Sequence, residues 1–203
     1  MYKVIGTYAN RALRVLWMME ELSQDFEFIL AQPRSDEAKQ YSPFGKVPIL
    51  QDEDAIITDS VAILTYLADK HGQFTFPAGT LARAEQDSYT QFIVEELEGP
   101  LWTAAKHSFV LPEEYRVPEA KNACRYEWDI AIERLEQRLQ GNPYLMGDTF
   151  TIADILVCHC LLWAGKAKFE IKSKAVQKYL AGILARPAAT KCMSKLFSQT
   201  SKA

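Results

Sequence analysis

The chain has 203 residues, 48% of them apolar, and a formal net charge of −3. That is enough apolar material for one or two packed domains, and the faint acidity argues against a nucleic-acid or anionic-membrane partner. No apolar run approaches the ~20 residues of a membrane-spanning helix, and the opening MYKVIGTY lacks the charged leader and apolar stretch of a secretory signal, so a cytoplasmic protein is expected.

YKVIG at 2–6 reads as a short β-branched strand. Asn10 is placed to cap RALRVLWMMEEL, in which Leu13, Leu16 and Trp17 recur at helical spacing. FEFIL at 26–30 alternates Phe26, Phe28 and Leu30, the period of a strand. Strand, helix and strand in so short a span imply a right-handed parallel crossover. Residues 31–44 hold Pro33, Ser35 and Pro43 around a short helical piece. VPIL, the acidic turn QDED and AIIT then read as an antiparallel hairpin. Proline cannot donate to a sheet ladder, so Pro48 marks a strand start, an edge or a bulge. In TDSVAILTYLADKHG, Thr58 or Asp59 caps a helix, Val61, Leu64 and Ala68 line one face, and Lys70, His71 and Gly72 favour its end. The order over residues 1–73 is therefore β-α-β-α-β-β-α.

Residues 74–80, within QFTFPAGT, have the composition of a linker. Strand signals nearly vanish beyond it, and 81–203 is expected to be an all-α helical bundle. A long helix over 81–108 is interrupted at Gly99-Pro100, where a kink or break is expected. Pro118 opens a helix carrying Cys124, Trp128, Ala131, Leu135 and Leu139, which Gly141-Asn142-Pro143 ends. Further helices fall near 151–165, 174–184 and 187–198. Thr151 and Asp154 are spaced as a capping box, with Phe150 and Ile155 as the matching hydrophobic staple. The four cysteines lie at 124, 158, 160 and 192, a pattern of reduced thiols rather than a disulfide framework. Cys158-His159-Cys160 suggests a metal at first sight. Residues two apart on a helix are turned by roughly 200°, so these cannot share an ion, and no metal is expected.

GKVPIL before a hairpin, TDSVAILTYLADKHG at a helix start, RVLWMMEEL in the first helix and TIADIL in the helical half, in that order and spacing, resemble the cytosolic glutathione transferases. The likeness spans essentially the whole chain and is to the bacterial, serine/theta-like type. It implies a thioredoxin-like first domain. It also implies a cis Val47–Pro48 bond that turns the Val47 N–H and C=O toward the cysteinyl backbone of glutathione, a strand-like pairing. Ser60 then receives the γ-glutamyl carboxylate at a helix N-terminus, Asp59 the ammonium, and Lys46 the glycine carboxylate. Asp59 departs from the family's usual Glu or Gln and is one methylene shorter.

Glutathione's thiol must ionise to react, and a free thiol has a pKa near 8.5. Serine-type members place a hydroxyl four residues before the first-helix arginine. Counting back from Arg14 gives Asn10 instead, whose amide can donate N–H to sulfur. Thr7 and Tyr8 are the alternatives, and Arg11 could add positive potential. With no cysteine in the first 120 residues, the reactive thiol must come from the ligand. The hydrophobic substrate is expected between the domains, with Trp102, His107, Phe109 and Tyr8 as wall residues.

The resemblance thus implies an enzyme joining the thiolate of glutathione, its co-substrate, to a hydrophobic electrophile. Glutathione-dependent peroxidase or disulfide reductase activity is the alternative within enzymes, and a non-catalytic glutathione or ligand carrier is the alternative outside them. The family also implies a homodimer.

Overall fold

The computed structural model describes residues 1–200; residues 201–203, where the expected helical domain ends, lie outside them. The elements are β1 (Tyr2–Gly6), α1 (Ala12–Glu21), β2 (Phe26–Leu30), α2 (Asp36–Lys39), β3 (Ile49–Asp52), β4 (Ala55–Thr58) and α3 (Ser60–His71). They are followed by α4 (Leu81–Phe92), α5 (Gly99–Ala105), α6 (Ala120–Leu139), α7 (Ile152–Ala167), α8 (Lys174–Leu184) and α9 (Pro187–Thr200). Two compact units result: residues 1–77 together with the chain from Leu184 onward, and residues 78–183.

The first unit is built on a mixed sheet of order β2-β1-β3-β4. β1 runs parallel to β2, with Val4 opposite Phe28, and antiparallel to β3, with Ile5 opposite Ile49. The β-α-β start and the β3–β4 hairpin are the thioredoxin-like arrangement expected from the sequence. Every residue of α1 from Ala12 to Met19 is buried, because the helix packs against β1, α3 and α9 at once. α9, although it follows the helical half in sequence, belongs to this unit. Ala189, Cys192 and Leu196 are its buried face. Arg186, just ahead of α9, and the lysines of α9 are matched at the end of α1: Arg186 donates to both oxygens of Glu21, Nε to Oε1 at 2.8 Å and Nη2 to Oε2 at 2.7 Å. Lys191 and Lys195 donate to Glu20 at 2.5 and 3.1 Å.

In the second unit the chain stays helical through Gly99-Pro100, without a break in the helical run. Proline lacks an N–H and its ring crowds the carbonyl four residues back. The chain answers by widening to π-helical turns over Ile93–Glu98, just before Pro100 enters the first turn of α5. The capping box at the start of α7 forms as the spacing predicted. Asp154 is fully buried and accepts from the Thr151 N–H at 2.8 Å, the Leu145 N–H at 2.9 Å and the Tyr179 hydroxyl at 2.6 Å. Burial pushes its carboxyl above the ordinary range, and these donors pull it back only in part. Cys158 and Cys160 are both fully buried. Among the described residues there is no group of three His, Cys, Asp or Glu side chains able to hold a metal ion. No described helix is long and apolar enough to cross a membrane.

Candidate functional site

The sequence-selected residues of the first unit collect at the C-terminal end of β1 and the start of α3. Gly6 ends β1 with a positive φ of 151°. A Cβ built on it would lie 3.5 Å from the Val47 Cβ and 3.7 Å from Asn10 Oδ1, so Val47 and Asn10 flank the same strand end. That Cβ would also meet the Ala12 Cβ at 2.4 Å, so only glycine lets α1 approach β1 this closely.

The Val47–Pro48 bond is cis. The preceding loop is pinned by two backbone bonds at Gly45: its N–H donates to Ser42 O at 2.8 Å and its C=O accepts from the Arg34 N–H at 2.7 Å. The Val47 side chain packs against the core formed by Ile5, Ala31, Ala38 and Ile49. Among the described residues, neither backbone group of Val47 is taken by another backbone group. Lys46 is exposed beside it.

Asp59 caps α3 with an uncommon backbone, φ 73°. Its Oδ1 accepts from the N–H groups of Val61 at 2.8 Å and Ala62 at 3.2 Å, and its C=O accepts from the Ile63 N–H at 3.0 Å. The Ile63 bond is the first ordinary intrahelical one; of the four N–H groups that a helix start leaves without intrahelical partners, those of Asp59, Ser60, Val61 and Ala62, the Asp59 carboxylate satisfies the last two. That of Ser60 has no acceptor among the described residues. Ser60 is buried, and its Oγ accepts from Nη1 of Arg14 at 3.0 Å. Asp59 uses one carboxylate oxygen for the cap and keeps Oδ2 clear of any partner among the described residues.

Asn10 does not sit directly at the N-cap of α1, which is Arg11. Its Oδ1 nevertheless accepts from the Ala12 N–H at 2.9 Å. The carbonyl side of the amide is thereby fixed, and the NH2 side is the part left to donate. Thr7 is buried and its Oγ1 accepts from the Ala9 N–H at 3.2 Å.

Tyr8 keeps different company. It is buried, its ring stands edge-on to Phe28 at 5.2 Å, and Lys195 of α9 lies 5.9 Å from the ring centre. Burial pushes its hydroxyl above the usual range, partly opposed by Lys195. With Glu20, Phe26, Phe28, Lys191 and Lys195 it borders a cleft of about 460 Å³.

In the second unit, Trp102 on α5 is exposed and meets Trp163 edge-on at 6.4 Å. His107 and Phe109 lie in a π-helical turn, Lys106–Val110. His107 Nδ1 accepts from the Val117 N–H at 3.1 Å, and Phe109 is exposed.

Arg14 is the residue that sequence reasoning passed over, using it only to count back to Asn10. It is 1% exposed. Its signal was an arginine inside the apolar run ALRVLWMM, since a charged group there must find a partner when the run is buried.

Fold and site together define a thioredoxin-fold protein followed by a helical unit, with no cysteine in the first 120 residues of the sequence. Residues 7–75 match the family model for the glutathione S-transferase N-terminal domain, and residues 100–187 match that for the glutathione S-transferase C-terminal domain. The chain is 31% identical over 215 residues to glutathione S-transferase F7 of Arabidopsis thaliana, covering 94% of this chain and 98% of that one. It is 27% identical to glutathione S-transferase theta-2 of Rattus norvegicus, over 84% of this chain and 75% of that one. A crystal structure of a glutathione transferase from Methylococcus capsulatus superposes with a TM-score of 0.81 at 26% identity, covering 96% of this chain and 98% of that one. The chain belongs to the glutathione S-transferase family.

Proposed function

We propose that this protein binds glutathione along the first unit, holds it as the thiolate and transfers its sulfur to a hydrophobic electrophile. The observation that carries this is the set of hydrogen-bonding groups left unspent. Val47 offers an N–H and a C=O, suited to the cysteinyl backbone of an extended tripeptide. Ser60 offers its N–H at a helix N-terminus, suited to the γ-glutamyl carboxylate. Asp59 Oδ2 takes the ammonium and Lys46 the glycine carboxylate. Pro48 fixes the turn that presents Val47.

This pose brings the cysteinyl sulfur to the strand end flanked by Val47 and Asn10. The Asn10 NH2 then donates to the sulfur, and this bond is worth more to the anion than to the thiol. Each unit of pKa depression needs about 1.4 kcal/mol of such preference. On ionisation the thiol proton leaves to solvent. The sulfur lone pair then attacks the electrophilic carbon, forming the thioether bond as the leaving group departs or the acceptor bond opens. No protein nucleophile takes part. Asn10 has the better claim over Tyr8, whose ring is engaged with Phe28 and Lys195. The arrangement is serine/theta-like, with asparagine at the serine position. Trp102, His107 and Phe109 are the proposed contacts for the apolar co-substrate.

A homodimer and a cytoplasmic setting belong to the same reading. Four buried cysteines, none of them in a disulfide, fit a reducing compartment.

Ultraviolet absorbance of the bound thiolate against pH tests the proposal. Glutathione should ionise at least about one pH unit lower on the protein than in water, with conjugation rate following the same titration. A thiol that ionises no more readily when bound would make the protein a carrier. Disulfide accumulating with a hydroperoxide, in place of conjugate with an electrophile, would make it a peroxidase.

A further inference from the structure

We infer that Arg14 is a positioning residue for the γ-glutamyl carboxylate, acting through the Ser60 hydroxyl; the inference rests on the glutathione reading above. A guanidinium has only donors, and a serine hydroxyl has one proton and two acceptor lone pairs. Because Arg14 Nη1 donates to Ser60 Oγ at 3.0 Å, the hydroxyl cannot spend its proton on that partner. The proton is left for a group on another side of the oxygen.

Asp59 sets the direction. Its carboxylate takes the N–H groups of Val61 and Ala62, so among the described residues the first-turn N–H of α3 that remains is that of Ser60 itself. One residue thus presents an N–H and an O–H together, the pair that a single carboxylate accepts. A hydroxyl that accepts from a cation is also a stronger donor, since hydrogen bonds in a chain polarise one another. Both Arg14 and Ser60 are buried, so water does not compete for the link. Without Arg14 the hydroxyl is free to rotate and to satisfy itself against nearby backbone groups.

The test is a ligand pair crossed with variants. Binding of glutathione and of 4-aminobutyryl-cysteinyl-glycine, which keeps the ammonium but lacks the α-carboxylate, is measured by calorimetry on the full chain. Wild type should prefer glutathione by about tenfold or more, the worth of a charged hydrogen-bond pair. In Arg14→Met the preference should fall to about threefold or less, while affinity for the decarboxylated peptide stays within about threefold of wild type. Ser60→Ala should collapse the preference equally, and the double variant should lose no more than either single one. Should Arg14→Met fail to fold, Arg14→Lys carries the same test. Its single ammonium on an unforked stem should lower the preference by at least about threefold. Equal weakening of both peptides, with the preference kept, would overturn the inference and leave Arg14 a structural residue. Failure of wild type to bind glutathione, or to distinguish the two peptides, would instead overturn the glutathione reading beneath it.

Discussion

Asp154→Ala should be the most damaging single change in the second unit. The side chain is fully buried and collects the Thr151 N–H, the Leu145 N–H and the Tyr179 hydroxyl at 2.8, 2.9 and 2.6 Å. Alanine leaves all three buried donors without their acceptor. Each orphaned buried donor costs about 1–3 kcal/mol. The penalties overlap as the site relaxes, and about 4 kcal/mol in total is expected, at the upper end for one substitution. For a chain of this size a loss of 1 kcal/mol lowers Tm by about 2–4 °C, so the variant should melt about 8–16 °C below wild type. Thr151→Ala removes only the capping hydroxyl and should cost about 1 kcal/mol. Scanning calorimetry with a guanidinium titration at neutral pH reads both variants. If Asp154→Ala came within about 1 kcal/mol of wild type, the view of Asp154 as a three-donor hub would be wrong.

Asn10→Ala should lower the conjugation rate by about tenfold or more and move the ionisation of bound glutathione back toward the solution value, since the only proposed donor to sulfur is gone. Asn10→Asp should do worse, because a carboxylate repels the thiolate; an unchanged thiolate titration in either variant would remove Asn10 from the site. Asp52 makes a pH prediction. Burial pushes its carboxyl up, but hydrogen bonds from Lys70 and Tyr66 outweigh this and hold it below its ordinary value. The unfolded chain therefore binds the extra proton first. The stability Asp52 confers is complete above about pH 4 and is lost as pH falls further through its folded-state value. Acid titration of Asp52→Asn should show a shallower fall in that window, and an unaltered slope would contradict the assignment. Arg186→Ala should leave the Glu21 carboxylate, 7% exposed, without its bidentate partner and cost about 2–3 kcal/mol. Hydrogen exchange should then rise first along α9, and protection kept there at wild-type level would count against the anchor.

Much of the fold was legible because its signals are local. The alternation of FEFIL, the helical spacing in RVLWMMEEL and the capping box at Thr151 each lie within a few residues, where backbone period and side-chain reach decide the outcome. Asp59 was legible for the same reason, beside Thr58 as a helix cap, while the role given to Ser60 came with the family resemblance. Val47 and Pro48 were found through family resemblance, and Gly6 reveals why they face Asn10, since a side chain there would separate α1 from β1.

What the sequence by itself determined was the kind and order of elements and the short-range caps that begin them. Tertiary structure alone decided which distant partner each buried charge meets. Arg14 reaches Ser60 across 46 residues, and Arg186 reaches Glu21 across 165. No periodicity encodes such pairs, because a buried charge requires only that some partner be supplied, and the packing of α1 against α3 and α9 chooses it.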